Sequence, residues 1–247
     1  MNVKADGRFQ RLYFSAAYTW SKALDESSED NDQGVTSNWS NLRTAKSYAV
    51  FDHPQRFVSS AVYDLLLGEQ FLVPHNAALK KLAAGWEVTG IATFEAGPPF
   101  TVFPGADTAF NLSTMYPAMT GPAVFSNIRA TNGIYITPQN FTNPPFGTYD
   151  GEIARNDFHG PGVNNFDLGF IKNTSLAEKL RLQFRAEMFN GFNHAQFSIG
   201  NQTLAYGMLP PATGQTLPQI EWYPASSFGR VSARDSRIVQ FALKLLW

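Results

Sequence analysis

The chain contains no cysteine. That removes disulfides, thiolate nucleophiles and Cys-ligated metals together, without fixing the compartment. Charge is sparse: Asp, Glu, Lys and Arg make up 16% of the 247 residues, against about 25% in an ordinary soluble domain. The charges nearly cancel, to a formal −1 at pH 7, so no overall field draws the chain to nucleic acid and no nucleic-acid partner is expected. Also missing is any run near the roughly 18 consecutive apolar residues of a membrane helix. This excludes helical spans, but not membrane strands, whose alternation hides from hydropathy scans. The opening MNVKADGRF lacks the basic-then-apolar order of a secretory leader, so an exported product would need one upstream. Catalytic spacings are missing as well. His53, His75, His159 and His194 stand alone, and there is no HExxH, GxSxG or phosphate-binding glycine loop. Glu87 and Glu95 lie ~26 Å apart if they share a strand, beyond the ~5–10 Å of a glycosidase pair, although a partner from another strand stays open. No enzymatic activity and no cofactor are expected.

What the chain has instead is aromatic residues, 21 of them Phe, arranged in alternation. In the closing stretch IVQFALKLLW, Val239, Phe241, Leu243, Leu245 and Trp247 fall on one face of a strand, and Gln240, Ala242 and Lys244 on the other. Five further segments repeat the pattern: RLYFSAAYTWS (11–21), RFVSSAVYDL (56–65), WEVTGIATFEA (86–96), NFDLGFIK (165–172) and LRLQFRAEM (180–188). The last of these is rich in helix formers. On a helix, however, Leu182 and Arg185 would share a face, whereas period two separates apolar from charged residues throughout. Most have the roughly 9–11 residues of a tilted membrane strand.

The links between these six strands sort by parity. Those at 66–85 and 173–179, together with the C-terminus, fall at one end and are short; those at 22–55, 97–164 and 190–237 fall at the other, long and rich in Gly, Pro, Asn and Ser. Outer-membrane barrels have short periplasmic turns and long extracellular loops of this kind. Charge agrees: Arg11, Arg56, Asp64, Glu87, Glu95, Asp167, Arg181, Arg185, Glu187 and Lys244 all fall opposite the greasy faces. Lys172 alone breaks the rule, at a strand end where its stem can reach the interface. Trp20, Phe57, Phe94 and Phe166 near one end of their strands, and Tyr63, Trp86 and Trp247 near the other, make two candidate interfacial girdles. The acidic run DESSEDND supplies Asp25, Glu26, Glu29, Asp30 and Asp32. Its match to an EF-hand loop fails at Gln33, so a solvated acidic loop is favoured over a calcium site.

Several stretches carry a resemblance: YTWSKALD (18–25), FDHPQRF (51–57), GWEVTGIATFEAGPPFTV (85–102), ARNDFHGPGVNNFDLGFIKN (154–173), LRLQFRAEMFNGFNHAQF (180–197) and FGRVSARDSRIVQFALKLLW (228–247). Together they resemble the C-terminal part of the barrel in Oar-like TonB-dependent outer-membrane transporters, the carboxypeptidase-regulatory-like type abundant in acidobacteria. The resemblance runs from about residue 8 to the end, with 103–150 least distinctive. It implies an all-β fold: about six strands of an antiparallel up-and-down transmembrane barrel of about 22, with residues 1–247 its C-terminal part and the plug domain and earlier strands absent. It implies partners too, namely outer-membrane lipid, the barrel-assembly machinery, and the plug and TonB through the missing N-terminal part, and a role in energised transport of a large substrate across the cell outer membrane of a Gram-negative bacterium. Gln240, Ala242, Leu245 and Trp247 resemble the family's assembly signal, with Ala242 where a glycine is usual. Arg181, Arg185, Glu187, Glu87 and Glu95 would line the lumen, and the acidic run would face outside. The alternative from another class is a soluble secreted β-sandwich binding glycan or protein.

Overall fold

The computed structural model describes residues 1–28, 42–65, 83–104, 116–142, 151, 153–204, 207–209, 219–221 and 227–247. Its frame is one antiparallel sheet of seven strands: β1 (Asn2–Phe9), β2 (Leu12–Trp20), β3 (Gln55–Leu65), β4 (Trp86–Glu95), β5 (Val163–Ser175), β6 (Arg181–Phe189) and β7 (Ile238–Leu246). They lie in chain order across the sheet, each hydrogen-bonded to the next. This is the up-and-down topology that short local connections favour. β1 and β7 form the two edges and do not pair with each other.

The alternation fixes the register. Phe57 faces Phe94, Phe170 faces Ala186, Phe184 faces Leu243 and Met188 faces Val239, so each strand sets its greasy residues beside those of its neighbours. A slip of one residue would turn a whole strand over, and the apolar face holds the sheet to this pairing. No described element covers that face: Phe241 is 70% exposed and Leu243 68%. A β-sandwich would need a second sheet there, and among the described residues none is present.

Two sequence-based expectations need correction. The sheet has seven strands rather than six, because residues 2–9 also form a strand. Its alternation on the apolar face runs Val3, Ala5, Gly7 and Phe9, and the two small residues in the middle carry little periodic hydrophobicity. Arg11, expected to begin a strand on the polar face, lies instead in the two-residue turn between Phe9 and Leu12. Gln10 there has φ 51, the left-handed backbone whose twist suits a tight hairpin. This new turn joins the link at 66–85 and the five residues between Ser175 and Arg181 at one end of the sheet. The three long loops rise from the other.

Those loops hold the buried core. Phe100, Val102, Tyr116, Ile136, Phe141, Ile153, Phe158, Leu204 and Phe228 pack into one cluster, with Phe141 edge-on to both Phe158 and Phe228. The ladder between β4 and β5 continues into it, since Pro99–Phe100 pairs with Phe158–His159. A Cβ at Gly97 would stand 1.9 Å from the Gly160 carbonyl oxygen, so only glycine permits that approach. Gly229 has φ 67 and a Cβ there would meet the Ile136 carbonyl oxygen at 1.8 Å. The loop end is therefore a packed cap rather than a set of solvated connections.

Candidate functional site

Arg11 apart, the charged residues expected to share a face do so. On the polar side of the sheet, Arg185 Nη2 lies 2.7 Å from Glu187 Oε1, and Gln240 Nε2 donates to Glu187 Oε2 at 2.7 Å. Gln183 donates to Asn173 at 2.9 Å. At the loop end, Glu95 receives Arg56 Nε at 3.2 Å and His53 Nδ1 at 2.8 Å. Glu87 stands opposite Asp64, a like-charged pair that opposes rather than supports the local pairing. Arg181 is exposed at the turn end and pairs in register with Leu246. Glu87 and Glu95 occupy one strand, eight positions apart, and Glu95 is held by Arg56 and His53. The face is thus an ordered ladder of ion pairs and amides.

Of the four residues expected to form a terminal signal, three lie on the edge strand β7 and divide between its faces. Gln240 and Ala242 stand on the polar face, opposite Glu187 and Arg185; Leu245 stands on the apolar face, opposite Leu182. Trp247 follows the last paired residue and is 91% exposed.

Three of the four aromatics expected at the loop end are in ring contact, joined by Phe192. Phe57, Phe94, Phe166 and Phe192 form a chain across the loop end of the apolar face, with centroids 6.2, 5.4 and 5.1 Å apart. At the turn end, Lys172 lies 5.8 Å over the Trp86 ring. Its ammonium donates to the Ala84 carbonyl, so it finds a protein acceptor rather than reaching to the interface as expected.

Above the polar face, a second network joins the loops, and sequence reasoning missed its centre. Arg155 is buried, 5% exposed. Its guanidinium pairs with the Asp25 carboxylate, donates to Ser28 Oγ at 2.9 Å and to the Asp25 carbonyl at 3.2 Å. Ser28 Oγ in turn donates to Asp25 Oδ2 at 2.8 Å, and the Arg155 carbonyl accepts from Ser47 Oγ. The next residue, Asn156, has φ 55; its side chain donates to the Tyr48 carbonyl at 2.8 Å and accepts from Thr101 Oγ1 at 3.1 Å. Asp52, 1% exposed, accepts from the Ala23 amide at 2.7 Å. Tyr135 donates to the His159 carbonyl at 3.0 Å, and burial pushes its phenol pKa above the ordinary value, which keeps it a donor. Asp25 therefore serves as a structural counter-ion, while Glu26 is exposed. Glu29, Asp30 and Asp32 lie outside the described residues, as does His75. Among the described residues no group of three or more His, Cys, Asp or Glu side chains could hold a metal ion. Only the motif ARNDFHGPG, which carried part of the resemblance, marked Arg155 in the sequence.

A family model described as an outer membrane beta barrel domain matches residues 1–240. The chain belongs to that family. No curated protein and no solved structure matches it. As an outer-membrane β-barrel domain, the chain is located in the outer membrane, and its sheet of exposed apolar residues sits in a lipid context. No described helix is long and apolar enough to cross a membrane, and strands supply the crossing elements.

Proposed function

We propose that this outer-membrane β-barrel domain is the C-terminal part of a TonB-dependent transporter barrel, which serves the whole protein in energised passage of a large substrate. The observation that carries this reading is the open sheet. Its seven strands share one apolar face and end in two edges that find no partner in each other, as a consecutive portion of a wider barrel would. The Oar-like motifs support it from the sequence side. Arg185, Glu187, Glu87, Glu95 and Arg181 then look into the lumen, where the ion ladder would meet a plug. The packed loop cap lies outside the cell, and Gln240, Ala242, Leu245 and Trp247 present the edge strand to the barrel-assembly machinery. An unpaired edge is a template for another strand, which is what a recognised terminal strand needs to be.

The test is the reading frame upstream of Met1 together with its product. The expected outcome is an in-frame leader, coupling segment and plug, and a full-length protein whose uptake activity requires TonB while its outer-membrane fractionation does not. A full-length product without a plug, or with uptake unchanged in a host lacking TonB, would overturn the reading.

A further inference from the structure

At the loop end of the polar face, the first residues of β5 and β7 and the last of β6 surround a cleft of about 690 Å³, within the ~300–1,000 Å³ common for small-molecule sites. Its framework is fixed internally. Asn190, 5% exposed, donates its amide to the Asp235 carbonyl at 2.7 Å and to the His194 carbonyl at 2.9 Å, and its Oδ1 accepts from the His194 N–H at 2.9 Å. Asp167 Oδ1 accepts from the Asn190 backbone N–H and from Asn165 Nδ2, both at 2.9 Å. This leaves Asp167 Oδ2 as a held acceptor outside that network.

The rest of the lining is complementary. Phe189 and Ile238, paired across β6 and β7, are 43% and 59% exposed although they stand on the polar face, away from lipid. They form an apolar platform in a cleft that Asp167 and Asp235 also line. No Lys or Arg lines the cleft among the described residues, so two carboxylates disfavour any anion. A ligand suited to this site offers hydroxyl donors along one edge and a C–H surface on its flat side.

We propose that the cleft binds a neutral saccharide, with a pyranose ring against Phe189 and its hydroxyls donating to Asp167 and Asp235. The proposal rests on the transport reading in one respect, that the polar face is lumenal, and names the solute class the mouth of the barrel would meet.

Titration calorimetry on the purified full-length protein in detergent tests it, using cellotriose and maltotriose, with trilysine and trigalacturonate as charged controls. At least one neutral trisaccharide is expected to bind saturably. Phe189→Ala and Asp235→Asn are each expected to weaken it about tenfold or more, while Lys4→Ala, on the far edge strand, leaves it unchanged. Asp235 has φ 56, a conformation that asparagine also adopts, so D235N preserves the turn and its carbonyl contact with Asn190. Retained heat-modifiable gel mobility shows that each variant is folded. Failure of both trisaccharides to bind, equal affinity in all variants, or preference for trilysine or trigalacturonate overturns the proposal. TonB dependence of uptake does not enter this measurement, so failure of the transport reading registers separately.

Discussion

Arg155 shows how much a single side chain can organise here. It is a buried cation whose guanidinium and carbonyl together tie Asp25, Ser28 and Ser47 to the strand entering β5. Removing one partner of a buried pair strands the other charge, at a cost of about 3–5 kcal/mol. Asp25→Ala is therefore expected to loosen the cap by that order, read as faster proteolysis of the long loops with the barrel still membrane-inserted. The double variant Asp25→Ala, Arg155→Met should recover much of the loss, since no unpaired charge remains. Gln10 presents the opposite case. It holds φ 51 without being glycine, which costs roughly 1 kcal/mol, and Gln10→Gly is expected to raise the urea midpoint of the refolded protein. Neither residue stood out by periodicity: Arg155 was marked only by the motif ARNDFHGPG, and a lone Gln before an Arg carries no turn signal.

At the scale of the strand, period two determines function through the environment each face meets. Leu243 on β7 is exposed on the apolar face between Phe241 and Leu245, while Lys244 stands on the polar face opposite Gln183. Leu243→Arg is expected to destabilise the membrane-inserted protein by about 2–4 kcal/mol, and Lys244→Arg by far less, measured by urea unfolding in micelles. A comparable cost at both positions would mean that the two faces do not differ in surroundings. The edge position of β7 yields a second expectation. Deleting Trp247 from the full-length protein should slow membrane assembly and raise periplasmic proteolysis, although one aromatic side chain contributes only about 1.5–3 kcal/mol of burial. The strands were legible because alternation of large residues is a local signal. β1 escaped because Ala5 and Gly7 interrupt its alternation of larger residues, Gly7 standing opposite Phe14.

For the whole molecule, seven strands are fewer than the eight whose interior side chains already fill. Closing them would leave no aqueous path, and leaving them open exposes edge amides that cost several kcal/mol each in hydrocarbon. The 247-residue chain purified by itself is therefore expected to aggregate or to persist only in detergent. Planar bilayers should show no conductance of reproducible unit size, and a steady unit conductance would refute this. The cap is the part of the molecule with a core of its own, and it is also where the segment least distinctive in sequence, 103–150, contributes Tyr116, Ile136 and Phe141.

The sequence by itself determined six of the seven antiparallel strands, the faces of the residues within them and the sorting of short turns from long loops, because each of these depends on spacing along the chain. It also placed Arg185, Glu187, Glu87 and Glu95 on one side, since residues an even number apart on a strand share a face. Only the tertiary structure decided that the long loops pack into a cored cap, that Asp25 answers Arg155 130 residues away, and that Asp167, Asn190 and Asp235 meet around one cleft. These contacts join segments with no common period, brought together by loop closure over the mouth of the sheet, and nothing in the spacing of residues records which loop a distant side chain will reach.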